Sequence, residues 1–175
     1  MAASPDAPAP LTPLADAPAL VRDAVLALNA QNITELSELD AAKLDWLVEE
    51  AFLATFVDSG AAFLIAFDQH ADYDSPNFHW FQRRYPRFVY VDRIAVAADA
   101  RGRGLARKLY DQLFAAAKAD GQEIIGCEVN LDPPNPASDA FHQAQGFSEV
   151  GRARLPNGKT VRYLVRRLDG EPAHG

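Results

Sequence analysis

Cysteine is almost missing from this 175-residue chain, where Cys127 stands alone. No internal disulfide can form, and a zinc cluster built on cysteines is excluded. His-x-x-x-His spacing is also absent, so no metal is expected. Long apolar runs are lacking: the longest, 61–67, is far short of the roughly 20 residues that cross a bilayer, so no membrane partner is expected. Basic side chains are scarce at first, 2 against 10 acidic up to residue 58, then 15 against 14. Without a broad basic surface, nucleic acid is a poor partner. A small anionic ligand needs only a local patch, and the positive charge is gathered in the second part of the chain.

The opening "MAASPDAPAPLTPLADAPAL" holds neither a basic n-region nor an apolar h-region, which predicts no secretory leader. Together with the single cysteine this points to a reducing, cytoplasmic compartment. With 49% apolar and 23% charged residues, the composition is that of an ordinary globular protein. Residues 1–10 are expected to be a flexible Ala/Pro-rich tail, 11–168 a single domain and 169–175 a C-terminal tail.

Helical spacing of Leu20, Val21, Ala24, Val25 and Leu28 predicts a helix over 17–28, after "LTPL" as a short edge strand. Asp40 is an N-cap for a second helix over 41–51. "FLATFVDSGAAFLIAFD" predicts two strands joined at Asp58-Ser59-Gly60. Residues 69–86, "QHADYDSPNFHWFQRRYP", are aperiodic and predict a long loop of the kind that is usually functional. "RFVYVDRIAV" is a strand, 104–120 a helix with Leu105, Leu109, Leu113, Ala116 and Ala117 inward, and "EIIGCEVNL" a strand. That order is a βαβ crossover with two parallel neighbours. A short helix from Pro136 to Gly146 and two strands around the Asn157-Gly158 turn complete a mixed α/β arrangement.

At the joint of the crossover stands "ARGRGLARK". Gly102 and Gly104 permit close backbone approach, the helix start offers unpaired N–H groups, and Arg101, Arg103 and Arg107 add charge. That suits a phosphate or two linked phosphates, while a turn with solvated arginines is the plain alternative. Gly-Lys-Ser/Thr and a third glycine with its acidic partner are missing, so a Walker loop and the dinucleotide fingerprint both fit poorly.

Arg101-Gly102-Arg103-Gly104-Leu105-Ala106, together with Asn135-Pro136-Ala137-Ser138-Asp139-Ala140-Phe141-His142-Gln143-Ala144-Gln145-Gly146-Phe147, resembles the two motifs of the Gcn5-related N-acetyltransferase (GNAT) superfamily. The resemblance is strongest over 88–150. It implies an α/β (α+β mixed) fold with a central, mostly antiparallel twisted sheet, one parallel βαβ crossover splayed at the cofactor site, and helices on both faces. It implies acetyl-CoA as co-substrate, with its pyrophosphate on the amides of residues 101–106 and its pantetheine arm along Ile94, Ala95 and Val96. Asn135 would contact the pantetheine, cap the short helix, or both. A dimer is common among relatives.

The same resemblance places three residues at the reaction. Asp92 stands where many relatives carry a catalytic Glu; alternation puts it on one face with Ile94 and Val96, and a pair with Arg93 is its structural alternative. Glu128, a charge inside an apolar strand, is the other candidate base or a buried salt-bridge partner. His142 stands where relatives place a Tyr that protonates the leaving thiolate; it could serve as that acid, hydrogen-bond the CoA sulfur, or do neither. Cys127 should face away from Glu128 and Asn130 as a small buried residue. Trp80, Phe81, Tyr85, Phe88 and Tyr90 line an acceptor pocket or cover a core edge or a dimer interface, and Arg83 and Arg84 meet an acceptor carboxylate or are solvated. The expectation is an acetyl-CoA-dependent N-acetyltransferase acting on a small-molecule amine by direct attack. Transfer to a protein N-terminus or lysine, and a non-catalytic acyl-CoA-binding module, are the alternatives.

Overall fold

The computed structural model describes residues 11–168; the tails expected at 1–10 and 169–175 lie outside the described residues. Strands β1 (Leu11–Pro13), β2 (Leu53–Val57), β3 (Ala62–Asp68), β4 (Phe88–Val96), β5 (Ile124–Asp132), β6 (Ser148–Arg154) and β7 (Thr160–Arg167) form one sheet in the order β1-β2-β3-β4-β5-β7-β6. Every neighbouring pair is antiparallel except β4 and β5, which are joined by the crossover helix α4 (Leu105–Ala119). β2–β3 and β6–β7 are tight hairpins, and the one parallel pair needs the crossover helix between its strands.

Alternation along β3 builds the two faces. Phe63, Ile65 and Phe67 enter a core with α1 (Ala19–Gln31), α2 (Ala41–Glu50) and α3 (Pro76–Gln82), while Ala62, Leu64 and Ala66 enter one with α4. All six side chains are fully buried. The α4 stripe is broader than its leucines suggest, since Tyr110 and Phe114 are also inward. Helix α5 (Pro136–Ala144) lies on the α4 side, where Phe141 and His142 meet the Tyr110 ring edge-on or tilted. Asp40 caps α2 by accepting from Lys43 N, as its position predicts.

The stretch 69–86 is not a loop throughout. Ser75 accepts from Phe78 N and Pro76 fills the first turn, starting the seven-residue α3. Its Phe78, Trp80 and Phe81 are buried, and Trp80 stacks on Tyr163 at 4.1 Å between ring centres. Seven residues are too few for periodicity to announce a helix; aromatic burial holds it. The rings expected to line an acceptor pocket are mostly this core.

Candidate active site

Two departures from a regular sheet create the site. The first is the early end of the β4–β5 ladder: Phe88, Val89 and Tyr90 pair with Ile124, Ile125 and Gly126, and there the register stops. Both strands run on for six more residues without facing each other. Main-chain groups of β4 that would have bonded β5 are left for another partner.

The second departure is a bulge. Along β3, Ile65 pairs with Arg93 and Ala66 with Val91, so Asp92 is the extra residue. The expected alternation therefore fails here: Asp92 does not share a face with Ile94 and Val96. It turns with Arg93 toward α1 and α2. There its Oδ1 accepts from the Tyr73 hydroxyl at 2.5 Å and its Oδ2 from Arg93 Nε at 2.7 Å. Arg93, only 2% exposed, also donates to Asn29 Oδ1, Ser37 O and Ser37 Oγ. Thus one buried guanidinium fastens both Asp92 and the segment 32–40 between α1 and α2. Burial, reinforced by the Asp92 charge, raises the Tyr73 hydroxyl well above its ordinary range.

A cavity of about 550 Å³ occupies the splay. Ile94, Ala95 and Val96 line one wall, Cys127 to Asn130 the other, and Arg101, Ala106, Asn135 and His142 complete it. At its outer end, Gly102 (φ 79°) and Gly104 (φ 72°) are left-handed, and a Cβ on either would meet nothing within 4 Å. The conformation, not crowding, demands glycine, and the space over the turn is open. Gly104 caps α4 without any side-chain bond, so the first-turn amides face outward. Arg101 borders the cavity; Arg103 instead bonds Asp58 Oδ2 at 2.5 Å, leaving its main chain for a ligand. Leu105 is buried under the turn. Asn135 Oδ1 caps α5 through Ser138 N.

Where this cavity meets a second one, of about 440 Å³, stand Asp92, Glu128 and Asn130. Glu128 Oε2 accepts from the Tyr90 hydroxyl at 2.6 Å. Desolvation pushes its carboxyl from an ordinary 4.5 up to about 8, opposed by hydrogen bonds from Tyr90 and Asn77, the latter supplied by α3. Of the two candidate bases, Asp92 has both oxygens occupied and Glu128 is poised near neutrality.

His142 is 4% exposed and both ring nitrogens are engaged: Nδ1 lies 2.8 Å from Ser138 O, and Nε2 2.7 Å from the Tyr110 hydroxyl. A carbonyl only accepts, so Nδ1 carries the proton and Nε2 receives the Tyr110 hydrogen. Burial lowers the imidazole's affinity for a second proton. Cys127 is buried on the α4 side, opposite Glu128 and Asn130, and burial pushes its thiol well up, the state of an inert cysteine. Arg84 lies over the Trp80 ring, and neither it nor Arg83 lines either cavity. Sequence reasoning missed Tyr73, Tyr110 and the anchoring of segment 32–40; Tyr90 was legible, two residues before Asp92 and on the Glu128 side of the sheet.

Residues 73–147 match the family model described as the acetyltransferase (GNAT) family. No curated protein gives a significant match. Among solved structures, the ribosomal-protein-S18-alanine N-acetyltransferase from Escherichia coli superposes with TM-score 0.66 at 16% identity, covering 95% of this chain and 98% of that one. Ard1 from Thermoplasma volcanium gives 0.70 at 13%, over 91% and 97%. The putative acetyltransferase yncA from Salmonella typhimurium, solved with its cofactor acetyl-CoA, gives 0.66 at 15%, over 97% and 99%.

Proposed function

For a chain that carries an acetyltransferase (GNAT) domain, we propose an acetyl-CoA-dependent N-acetyltransferase that acetylates the amine of a small molecule by direct attack. The observation that carries this reading is the splay beyond Tyr90 and Gly126, which opens a continuous cavity between the glycine turn and Glu128. In it the turn amides and Arg101 hold the pyrophosphate, Ile94 to Val96 bond the pantetheine arm, and Asn135 and His142 border the sulfur end. The relative solved with acetyl-CoA shares the fold and supports the choice of acyl donor.

Glu128 is the base. The acceptor ammonium gives one proton to the Glu128 carboxylate, the freed nitrogen attacks the thioester carbonyl carbon, the C–S bond breaks, and the second proton lost by nitrogen goes to the departing thiolate. Holding the two reactants in line supplies much of the acceleration, and a matched base adds roughly 10²- to 10⁴-fold. Asp92 positions rather than reacts, because Tyr73 and Arg93 hold it. His142 is a positioning residue as well: its one N–H is bonded to Ser138 O, so it has no proton to give the leaving group. A thiol of pKa about 8.5 leaves as a thiolate. Direct attack is favoured over a covalent relay, since Cys127 is buried with a raised pKa.

A small acceptor is supported by the second cavity, which the Lys159 Nζ to Thr34 O bond of 2.7 Å bridges between the β6–β7 hairpin and segment 32–40. The test is thiol release from acetyl-CoA across an amine panel and an N-terminal peptide. CoA bound without turnover of any acceptor would leave a binding module. Gly104→Asp should abolish CoA binding while the circular dichroism spectrum is kept; undiminished affinity would place the phosphates elsewhere.

A further inference from the structure

We infer that the acceptor is an aliphatic diamine, a compact dication with an alkyl spacer; this rests on the acyl-transfer reading above. The second cavity is rich in acceptor atoms at its inner end. Asn130, 9% exposed, gives Nδ2 to Thr34 O at 3.3 Å, and its Oδ1 has no partner among the described residues. That oxygen is open to the cavity, where it can accept from a ligand's donor. Beside it is the Glu128 carboxyl, with Tyr90 on one oxygen. Together they suit the N–H groups of an amine.

The outer end is negative. Glu35, which borders both cavities, and Glu38, which borders the second, are exposed on segment 32–40 and form no ion pair among the described residues. Of the neighbouring cations, Arg93 is paired with Asp92, Lys43 bonds the main-chain oxygen of Glu38 at 3.4 Å but does not line the cavity, and Lys159 lines it with its Nζ on Thr34 O. Among the residues that line the second cavity, Lys159 is one cation against the two glutamates. Leu36, Leu155 and Val161 give the cavity between these ends an apolar wall. One amine at Glu128 and Asn130, methylenes along that wall and a second ammonium at Glu35 and Glu38 use every feature. A monoamine loses the outer contact, and an amino acid sets its carboxylate against two others.

The experiment compares 1,4-diaminobutane, n-butylamine and 4-aminobutanoate with acetyl-CoA on the full chain. The diamine should exceed the monoamine about tenfold in kcat/KM, beyond the factor of about two for its two amines, and 4-aminobutanoate should be slowest. The Glu35→Gln/Glu38→Gln double variant should bring the diamine-to-monoamine ratio to about two, and Glu35→Lys/Glu38→Lys should favour 4-aminobutanoate; the circular dichroism spectrum and thermal melt report that each is folded. Equal rates per amine in the wild type, or an order untouched by either variant, would overturn the inference and leave acyl transfer standing. If none of the three is acetylated while another acceptor of the panel is, the inference is overturned and acyl transfer stands; if no acceptor at all is acetylated, the acyl-transfer reading falls, and calorimetry on CoA-loaded protein decides whether the cavity still prefers a diamine. Tighter binding of 1,4-diaminobutane than of n-butylamine would uphold it; equal or absent binding would overturn it.

Discussion

Replacing Glu128 by Gln removes the one carboxyl at the junction of the two cavities that is poised near neutrality. Its folded value of about 8 means that roughly one molecule in ten carries the carboxylate at pH 7, and roughly one in a hundred at pH 6. Because kcat/KM reports the free enzyme, the wild-type profile should climb about tenfold per pH unit up to about 8. The variant should lie about 10² to 10⁴ lower. Its profile should lose the inflection near 8 and follow only the acceptor amine, whose own value is about 10. Initial rates of thiol release from pH 5.5 to 9.5 with an aliphatic amine measure both. A Gln variant with the wild-type rate and the same inflection would refute Glu128 as the base. Asp92→Asn retains the inflection if Asp92 only positions.

Glu128 also makes a prediction about stability. Its pKa is raised from 4.5 to about 8, so the stability it contributes is complete below about 4.5 and is lost as pH rises through 8. Urea midpoints at pH 5 and 8.5 should fall for the wild type and change less for Glu128→Gln. Arg93→Ala strands the Asp92 carboxylate and releases segment 32–40; a loss of about 3–5 kcal/mol is expected, read as a drop on the order of 10 °C in Tm. Gly126→Ala would drive a Cβ into the Phe81 ring, at a cost of about 1–3 kcal/mol, seen in the same melt without change in CoA affinity once folded.

The two hairpins, the crossover and the glycine turn were legible because each rests on local chemistry: alternation, helical spacing, turn residues. The boundaries of α1 and α5 came within a few residues for the same reason. The short α3 escaped because aromatic burial sustains it, although Ser75-Pro76 was a start signal in plain view. At the site, the three candidate residues do gather around one cavity, but their states were not written in their spacing. The Asp92–Arg93 pair was among the expectations, but that both turn to the Tyr73 side follows from a bulge, which alternation cannot foresee. That His142 has Tyr110 as partner depends on how α5 docks on α4, a tertiary fact.

The end of the β4–β5 ladder has a further consequence. Unpaired strand main chain ordinarily lies at the border of a sheet, where any passing chain can add to it and aggregation follows. Here the border is inside the molecule. β4 beyond Tyr90 is an edge walled by β5 and roofed by α4 and α5, so only an extended guest of ligand width can dock on it as an extra strand. The fold thus keeps the adhesiveness of an edge while denying it to other proteins.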